Sequence, residues 1–182
     1  MTQLQRIKIE GYRSIKSLDL DLRNINVLIG PNAAGKSNFI RFFRLLKHLG
    51  RENLQVHVRR SGDAGSLLYY GQKTSSSFVG ELHLGSTGYR FELVPTKDGR
   101  LVFEQERVSS GEWDREISQL VGEGHRETLL NAAPKENREL GREVQRVIRG
   151  LTAHHFQDTG PSAPSKTAVN IGDDHRLHSD AG

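Results

Sequence analysis

Residues 26–43 read NVLIGPNAAGKSNFIRFF, and the punctuation of this stretch decides the fold class. An apolar run, Val27-Leu28-Ile29, stops at Gly30, Gly35-Lys36-Ser37 follows, and from there apolar residues recur at helical spacing. The fixed positions spell G-x-x-x-x-G-K-S between a strand pattern and a helix pattern, the arrangement of a phosphate-binding loop.

Chemistry accounts for the spacing. A loop of this length curls so that successive backbone N–H groups point inward at phosphate oxygens. Gly30 and Gly35 are expected to let the chain turn tightly without a Cβ in the way. A helix opening near Gly35 adds unpaired N–H groups and its positive dipole end to the same anion site. Lys36 is then expected on the β- and γ-phosphates, and the Ser37 hydroxyl on Mg²⁺. The intervening Pro31, Asn32, Ala33 and Ala34, with Asn38 behind them, complete the expected nucleotide-binding set.

At 182 residues the chain has the length of a single domain. Hydrophobic residues make up 35% and the mean hydropathy is −0.58, a polar chain with a modest core. No apolar run approaches the ~18 residues of a membrane span, and MTQLQRIKIE reads as a strand rather than a signal peptide. The absence of cysteine excludes disulfides and thiolate metal sites and suits the cytoplasm. A net charge of +4 suits a polyanionic partner, although a nucleotide alone satisfies it.

Working outward, residues 4–9 alternate, with Ile7 and Ile9 on one face; 11–17 read as a turn; 17–22 alternate with Leu18, Leu20 and Leu22 on one face. Asn24 to Ile29 is more continuously apolar, which predicts a third, buried strand of a central sheet. After Lys36 the period becomes helical, with Phe39, Phe42, Phe43, Leu46 and Leu49 inward and Gly50 closing the helix. Arg41, Arg44, His48 and Arg51 form a basic stripe on the opposite side, either a solvated face or a contact for DNA phosphates. Segments 78–84, 89–94 and 100–108, separated by GSTG and PTKDG, read as a β-meander. Pro134 to Gly150 fits a helix with Leu140, Val144, Val147 and Ile148 inward, and Leu151 to Gln157 a short strand. Beyond Asp158 the composition turns polar, so 1–157 is expected to be the folded lobe and 158–182 a disordered tail or the start of a second lobe.

Downstream of Ser37 no run of four apolar residues ends in Asp or Glu, and no L-S-G-G signature occurs. Asp19 and Asp21 lie on a polar strand edge and read as solvated. The adjacent His154-His155 would face opposite sides of a strand, which is wrong for shared metal ligation.

The stretch IKIEGYRSIKSLDLDLRNINVLIGPNAAGKSNFI resembles the N-terminal lobe of ABC-type ATPases related to the SMC and RecF proteins. More narrowly it is similar to bacterial AAA-family ATPases of the AAA_21 kind, which also carry segments like LLYYGQKT, GYRFELVPTKDGRLVFEQE and HHFQDTGPSAP. The resemblance implies an α/β P-loop NTPase lobe: a mixed sheet with an antiparallel meander and a Walker A helix. It implies ATP and Mg²⁺ as ligands, Lys36 and Gln157 as catalytic groups, and Ser37 and Gln157 on the metal. Gln157 lies 121 positions after Lys36, where a Q-loop is expected; a surface glutamine is the other reading. Arg13 matches a position that approaches the nucleotide in relatives, with a solvent-exposed arginine as its alternative. The implied partners are a second copy or a second lobe, with DNA possible and no membrane. Three functions stay open: half of an ATP-hydrolysing enzyme of DNA repair or phage defence; a non-catalytic nucleotide-binding or interaction module, as a truncated product or half of a split ATPase; or, on charge alone, a nucleic-acid-binding domain that retains the loop.

Overall fold

The computed structural model describes residues 3–32, 34–111 and 117–152. Six strands, β1 (Arg6–Tyr12), β2 (Ile15–Asp21), β3 (Phe78–Leu84), β4 (Thr87–Pro95), β5 (Leu101–Ser110) and β6 (Ile117–Gly122), form one sheet in the order β2-β1-β3-β4-β5-β6. Among the described residues every strand pairing is antiparallel. Three helices, α1 (Lys36–Gly50), α2 (Leu54–Arg60) and α3 (Arg138–Gly150), accompany it.

Alternation along the strands separates two faces of the sheet. Ile7 pairs with Leu82, which pairs with Tyr89; Ile9 pairs with Gly80, which pairs with Phe91. All but Gly80 belong to the buried apolar core, together with Phe42, Leu45, Leu46 and Leu49 of α1 and Val144 and Ile148 of α3. On the other face Lys8 and Arg90 both lie opposite Glu81, at 3.8 and 3.6 Å, and Arg6 holds Asp19 through two hydrogen bonds of 2.8 and 2.9 Å. Asp19 is therefore on the polar face as expected, in an exposed pair.

Gly80 shows how the helix layer reaches the sheet. A Cβ there would lie 2.3 Å from the Phe91 ring and 2.9 Å from the Phe42 ring. Phe91 thus folds over the glycine opposite it and meets Phe42, with ring centroids 6.2 Å apart. Gly50 permits a similar approach, since a Cβ would come within 2.7 Å of Ile148 on α3. The left-handed residue after α1 is Glu52 (φ 57°), not Gly50, so close helix packing rather than a glycine cap explains that glycine. Glu52 accepts from Asn131 at 2.7 Å and Gln145 at 3.3 Å, pinning the end of α1 to the α3 region.

The meander and both long helices fall where the sequence places them, and the meander continues through β6. The turn expected over 11–17 shrinks to Arg13–Ser14, because β1 runs on to Tyr12 and β2 starts at Ile15.

The third strand is a correction. Asn24 to Ile29 carries no strand, and Ile25, Val27 and Ile29 are 82, 75 and 90% exposed. Asn26 accepts from the Arg23 amide (3.0 Å) and donates to the Arg23 carbonyl (2.7 Å), turning the chain away from β2. A buried strand needs ladder partners for its backbone, and among the described residues no strand pairs with 24–29. Beside it a groove of about 450 Å³ is lined by Leu22, Leu28, Phe39, Phe43, Val147 and Leu151, among others. The expected short strand of 151–157 extends beyond the described residues.

Candidate nucleotide-binding site

The loop between Ile29 and α1 is built by three local devices. Ala34 N–H donates to the Pro31 carbonyl at 3.3 Å, closing the first turn. Gly35 has φ 92°, a left-handed conformation strained for any residue with a Cβ, and sets the direction in which α1 departs. Phe39 N–H then bonds to the Gly35 carbonyl at 2.9 Å, so the helix ladder starts there. Gly30 adopts no such conformation, and a Cβ on it would meet only Ala34 at 3.7 Å. Neither the turn nor close packing within the chain requires a glycine there.

Lys36 leans back over this loop. Its Nζ donates to the carbonyls of Gly30 at 2.5 Å and Pro31 at 2.7 Å. The ammonium is thereby held across the loop by the two residues that open it. The first turn of α1 has no side-chain cap and no acidic residue. Its first N–H groups therefore remain available, and no carboxylate opposes a negative ligand at the positive helix end. Pro31, Asn32, Ala34 and Ser37 are exposed, while Gly35, Lys36 and Asn38 are half-buried. A donor set of one ammonium, free helix amides and an accessible hydroxyl fits an oligophosphate, with Ser37 as the side-chain oxygen for a cation such a ligand carries.

The β1–β2 turn supports the site from the side. Asn38 Nδ2 donates to Ser14 Oγ at 2.7 Å, and Arg41 donates to Asn38 Oδ1 at 3.2 Å. Ser14 escapes a motif search because its signal is positional: it follows Arg13 in the tight turn. Arg13 itself is left-handed (φ 52°), with its N–H bonded to the Leu67 carbonyl at 3.0 Å and its carbonyl to the Tyr70 N–H at 3.1 Å. Its guanidinium carbon lies 5.8 Å from the centre of the Tyr12 ring. The structure thus brings together Gly30, Pro31, Gly35, Lys36, Ser37 and Asn38, with Arg13 one residue from Ser14. Ala33 and Gln157 lie outside the described residues.

The sequence reading also overlooked a buried polar centre in the meander. Glu106 on β5 is fully buried and accepts from Tyr89 Oη at 2.8 Å, from Leu129 N–H at 2.9 Å and from Thr128 Oγ1. His125 Nε2 sits 2.9 Å from its second oxygen, with the imidazole stacked on Phe103. Burial, then the Glu106 charge, hold the Tyr89 hydroxyl well above its usual range. This cluster ties residues 125–129 to the sheet where the β5–β6 register shifts.

Comparison with known proteins identifies the family. The family model described as AAA ATPase domain (AAA_15) matches residues 3–105, more than half of the chain, and the chain belongs to that family. Among curated proteins it is similar to the DNA replication and repair protein RecF of Moorella thermoacetica, 37% identical over 92 residues, covering 50% of this chain and 22% of the relative. RecF of Oenococcus oeni is 24% identical over 140 residues, 54% of this chain and 38% of that protein. The DNA double-strand break repair Rad50 ATPase of Methanopyrus kandleri is 42% identical over 59 residues, 27% of this chain and 7% of that protein. The chain thus spans well under half the length of these relatives. It resembles the N-terminal region of ABC/SMC/RecF-like P-loop ATPases, and among the described residues no helix is long and apolar enough to cross a membrane.

Proposed function

We propose that this chain binds ATP with Mg²⁺ through residues 30–38, as the N-terminal half of an ABC/SMC/RecF-like ATPase that works on DNA. One observation carries the reading: Lys36 Nζ rests on the carbonyls of Gly30 and Pro31, in the loop that leads through the left-handed Gly35 to the uncapped start of α1. From there the ammonium would reach a triphosphate bound on the helix amides. Ser37 would contribute its hydroxyl to Mg²⁺, and the metal would neutralise charge on the phosphates. Arg13 enters through its neighbour Ser14, which braces Asn38, more than through its guanidinium. Gln157 is the proposed Q-loop residue, whose amide would join the metal and the attacking water. The exposed Val27 and Ile29 and the adjoining apolar groove suit a second lobe or a second copy packed against this side. The names of the relatives, RecF and Rad50, support an association with DNA repair.

The test is titration calorimetry with ATP and Mg²⁺ on the native chain and on Lys36→Ala. Saturable binding that the substitution weakens at least about tenfold, the effect of losing ~1.4 kcal/mol of contact, supports the proposal. Equal affinity in both proteins removes it.

A further inference from the structure

A second basic cluster lies apart from the phosphate-binding loop, between the C-terminal half of α1, α2 and the β1–β2 turn. His48 of α1 and His57 of α2 face one another with ring centroids 4.9 Å apart. Three nitrogens in this neighbourhood, His48 Nδ1, His57 Nε2 and Arg13 Nε, are shielded from water and have no hydrogen-bond partner among the described residues. Unpaired buried polar atoms are uncommon in folded proteins and call for a ligand, a water or a functional reason.

The charges around the pair share one sign. Arg13 from the β1–β2 turn and Arg44 from α1 act on His57; Lys47 and Arg51 from α1 and its end, and Arg60 from α2, act on His48. Among the described residues, none of the principal electrostatic influences on either ring is a carboxylate. Two imidazoles that can each take up a proton, ringed by arginines, suit a negative group and reject a metal cation. Arginine adds planar donors matched to a tetrahedral oxyanion.

We propose that His48, His57, Arg13 and Arg44 form a proton-coupled site for a tetrahedral oxyanion of the phosphate class. The site is empty-handed at neutral pH because both rings are neutral, and it fills as they charge. Burial is the first cause holding His57 down to about 4, followed by the His48, Arg13 and Arg44 charges; burial also lowers His48, followed by the Arg60, Arg51 and Lys47 charges. An anion bound beside the paired rings offsets those positive charges and returns the rings toward the protonated form. One proton taken up per anion makes affinity rise about tenfold per pH unit as pH falls. The oxyanion has two possible sources, a free anion or the phosphodiester backbone of a nucleic acid, and both present the same oxygens.

The experiment is a histidine-ring NMR titration of the full chain in sodium sulfate against sodium chloride at matched ionic strength. Sulfate stays dianionic throughout this range, so the proton uptake belongs to the protein. The His57 resonance is assigned with His57→Phe. Sulfate is expected to raise the His57 pKa by at least about one unit, as a close opposite charge does. The shift should shrink in Arg44→Gln, which removes a half-buried surface charge without opening the core. It should persist in Lys36→Ala, which disables the other anion site. Repeating the titration with a short oligothymidylate separates the sources: the same shift identifies a nucleic-acid backbone, and no shift identifies a free anion. The proposal is overturned if sulfate moves His57 no more than chloride does. Loss of the sulfate effect in Lys36→Ala also overturns it, because the anion would then sit on the phosphate-binding loop.

Discussion

Asn38 in the first turn of α1 donates to Ser14 Oγ in the β1–β2 turn across 2.7 Å, and this bond joins the glycine-bounded loop ahead of α1 to the sheet's edge hairpin. Its partners are 24 residues apart in sequence. The helix start is therefore braced against a turn that the apolar core already fixes through Tyr12 and Ile15. Asn38→Ala is expected to leave global stability within about 1 kcal/mol, the usual value of one net hydrogen bond. It should nevertheless weaken ATP binding measurably. Urea unfolding beside calorimetric titration separates the two effects, and unchanged nucleotide affinity would show that the brace is dispensable.

Ser37→Ala should hurt nucleotide binding in Mg²⁺ far more than in EDTA. The hydroxyl is exposed and its proposed partner is the cation, so without metal little remains to lose. Comparing dissociation constants in the two buffers decides this. An equal loss in both would make the serine a structural element of the loop.

Removing Glu106 should damage the fold rather than the site. Glu106→Ala strands the hydroxyls of Tyr89 and Thr128, the Leu129 amide and the His125 ring without their shared acceptor. Breaking a buried, multiply bonded charge costs about 3–5 kcal/mol, so the urea midpoint should fall steeply. Glu106→Gln keeps one acceptor oxygen and should lose less. A midpoint unchanged in Glu106→Ala would mean that water replaces the carboxylate.

Acid should destabilise the chain through two buried histidines. His57 and His83 are each held down to about 4, chiefly by burial, against an ordinary value of 6.5. The unfolded chain therefore binds these protons first, and stability declines as pH falls from about 6.5 to about 4. Below that window both states are protonated and the histidine contribution levels off. Asp19, lowered chiefly by its hydrogen bond from Arg6, adds a small loss only at more acidic pH, because the pair is exposed. Urea midpoints in chloride between pH 7.5 and 4.5 test the window, and His57→Phe should flatten the slope.

The purified 182-residue chain should bind ATP yet release phosphate negligibly. No strand-terminal acid of the four-apolar kind follows Ser37 in this sequence, and no L-S-G-G signature is present. Phosphoryl transfer depends almost entirely on placed charges, and a missing arginine finger alone costs ~10³–10⁵ in rate. Phosphate release is measured with Lys36→Ala as the contamination control. Turnover near ~1 per second, within the range of working phosphotransfer enzymes, that vanishes in the variant would establish a self-sufficient enzyme.

Much of this molecule was legible because its signals are local. The left-handed Gly35, the period change after Lys36 and the turn residues between β3, β4 and β5 each act within a few positions. Residues 24–29 misled for a physical reason. An apolar run reports an appetite for burial, while pairing depends on a neighbour that the run itself does not encode. The Asn26 turn at its base is a two-way bond to Arg23 that only coordinates reveal. Similarly, Glu106 reads as one more charge in an alternating strand, since its donors come from β4 and from 125–129. The His48–His57 pair joins two helices, and half of the motif lay inside the basic stripe already visible on α1.

The unladdered segment ahead of Gly30 also turns the protein into its own reporter. Backbone amides outside a sheet ladder exchange their hydrogens far sooner than those in core strands. Deuterium uptake at Ile25, Val27 and Ile29 should therefore be fast beside that of Ile7 and Ile9, which sit in β1 between two neighbours. Any macromolecule that lays a strand along this segment would slow that uptake, and the mass shift of one short peptide would time its arrival.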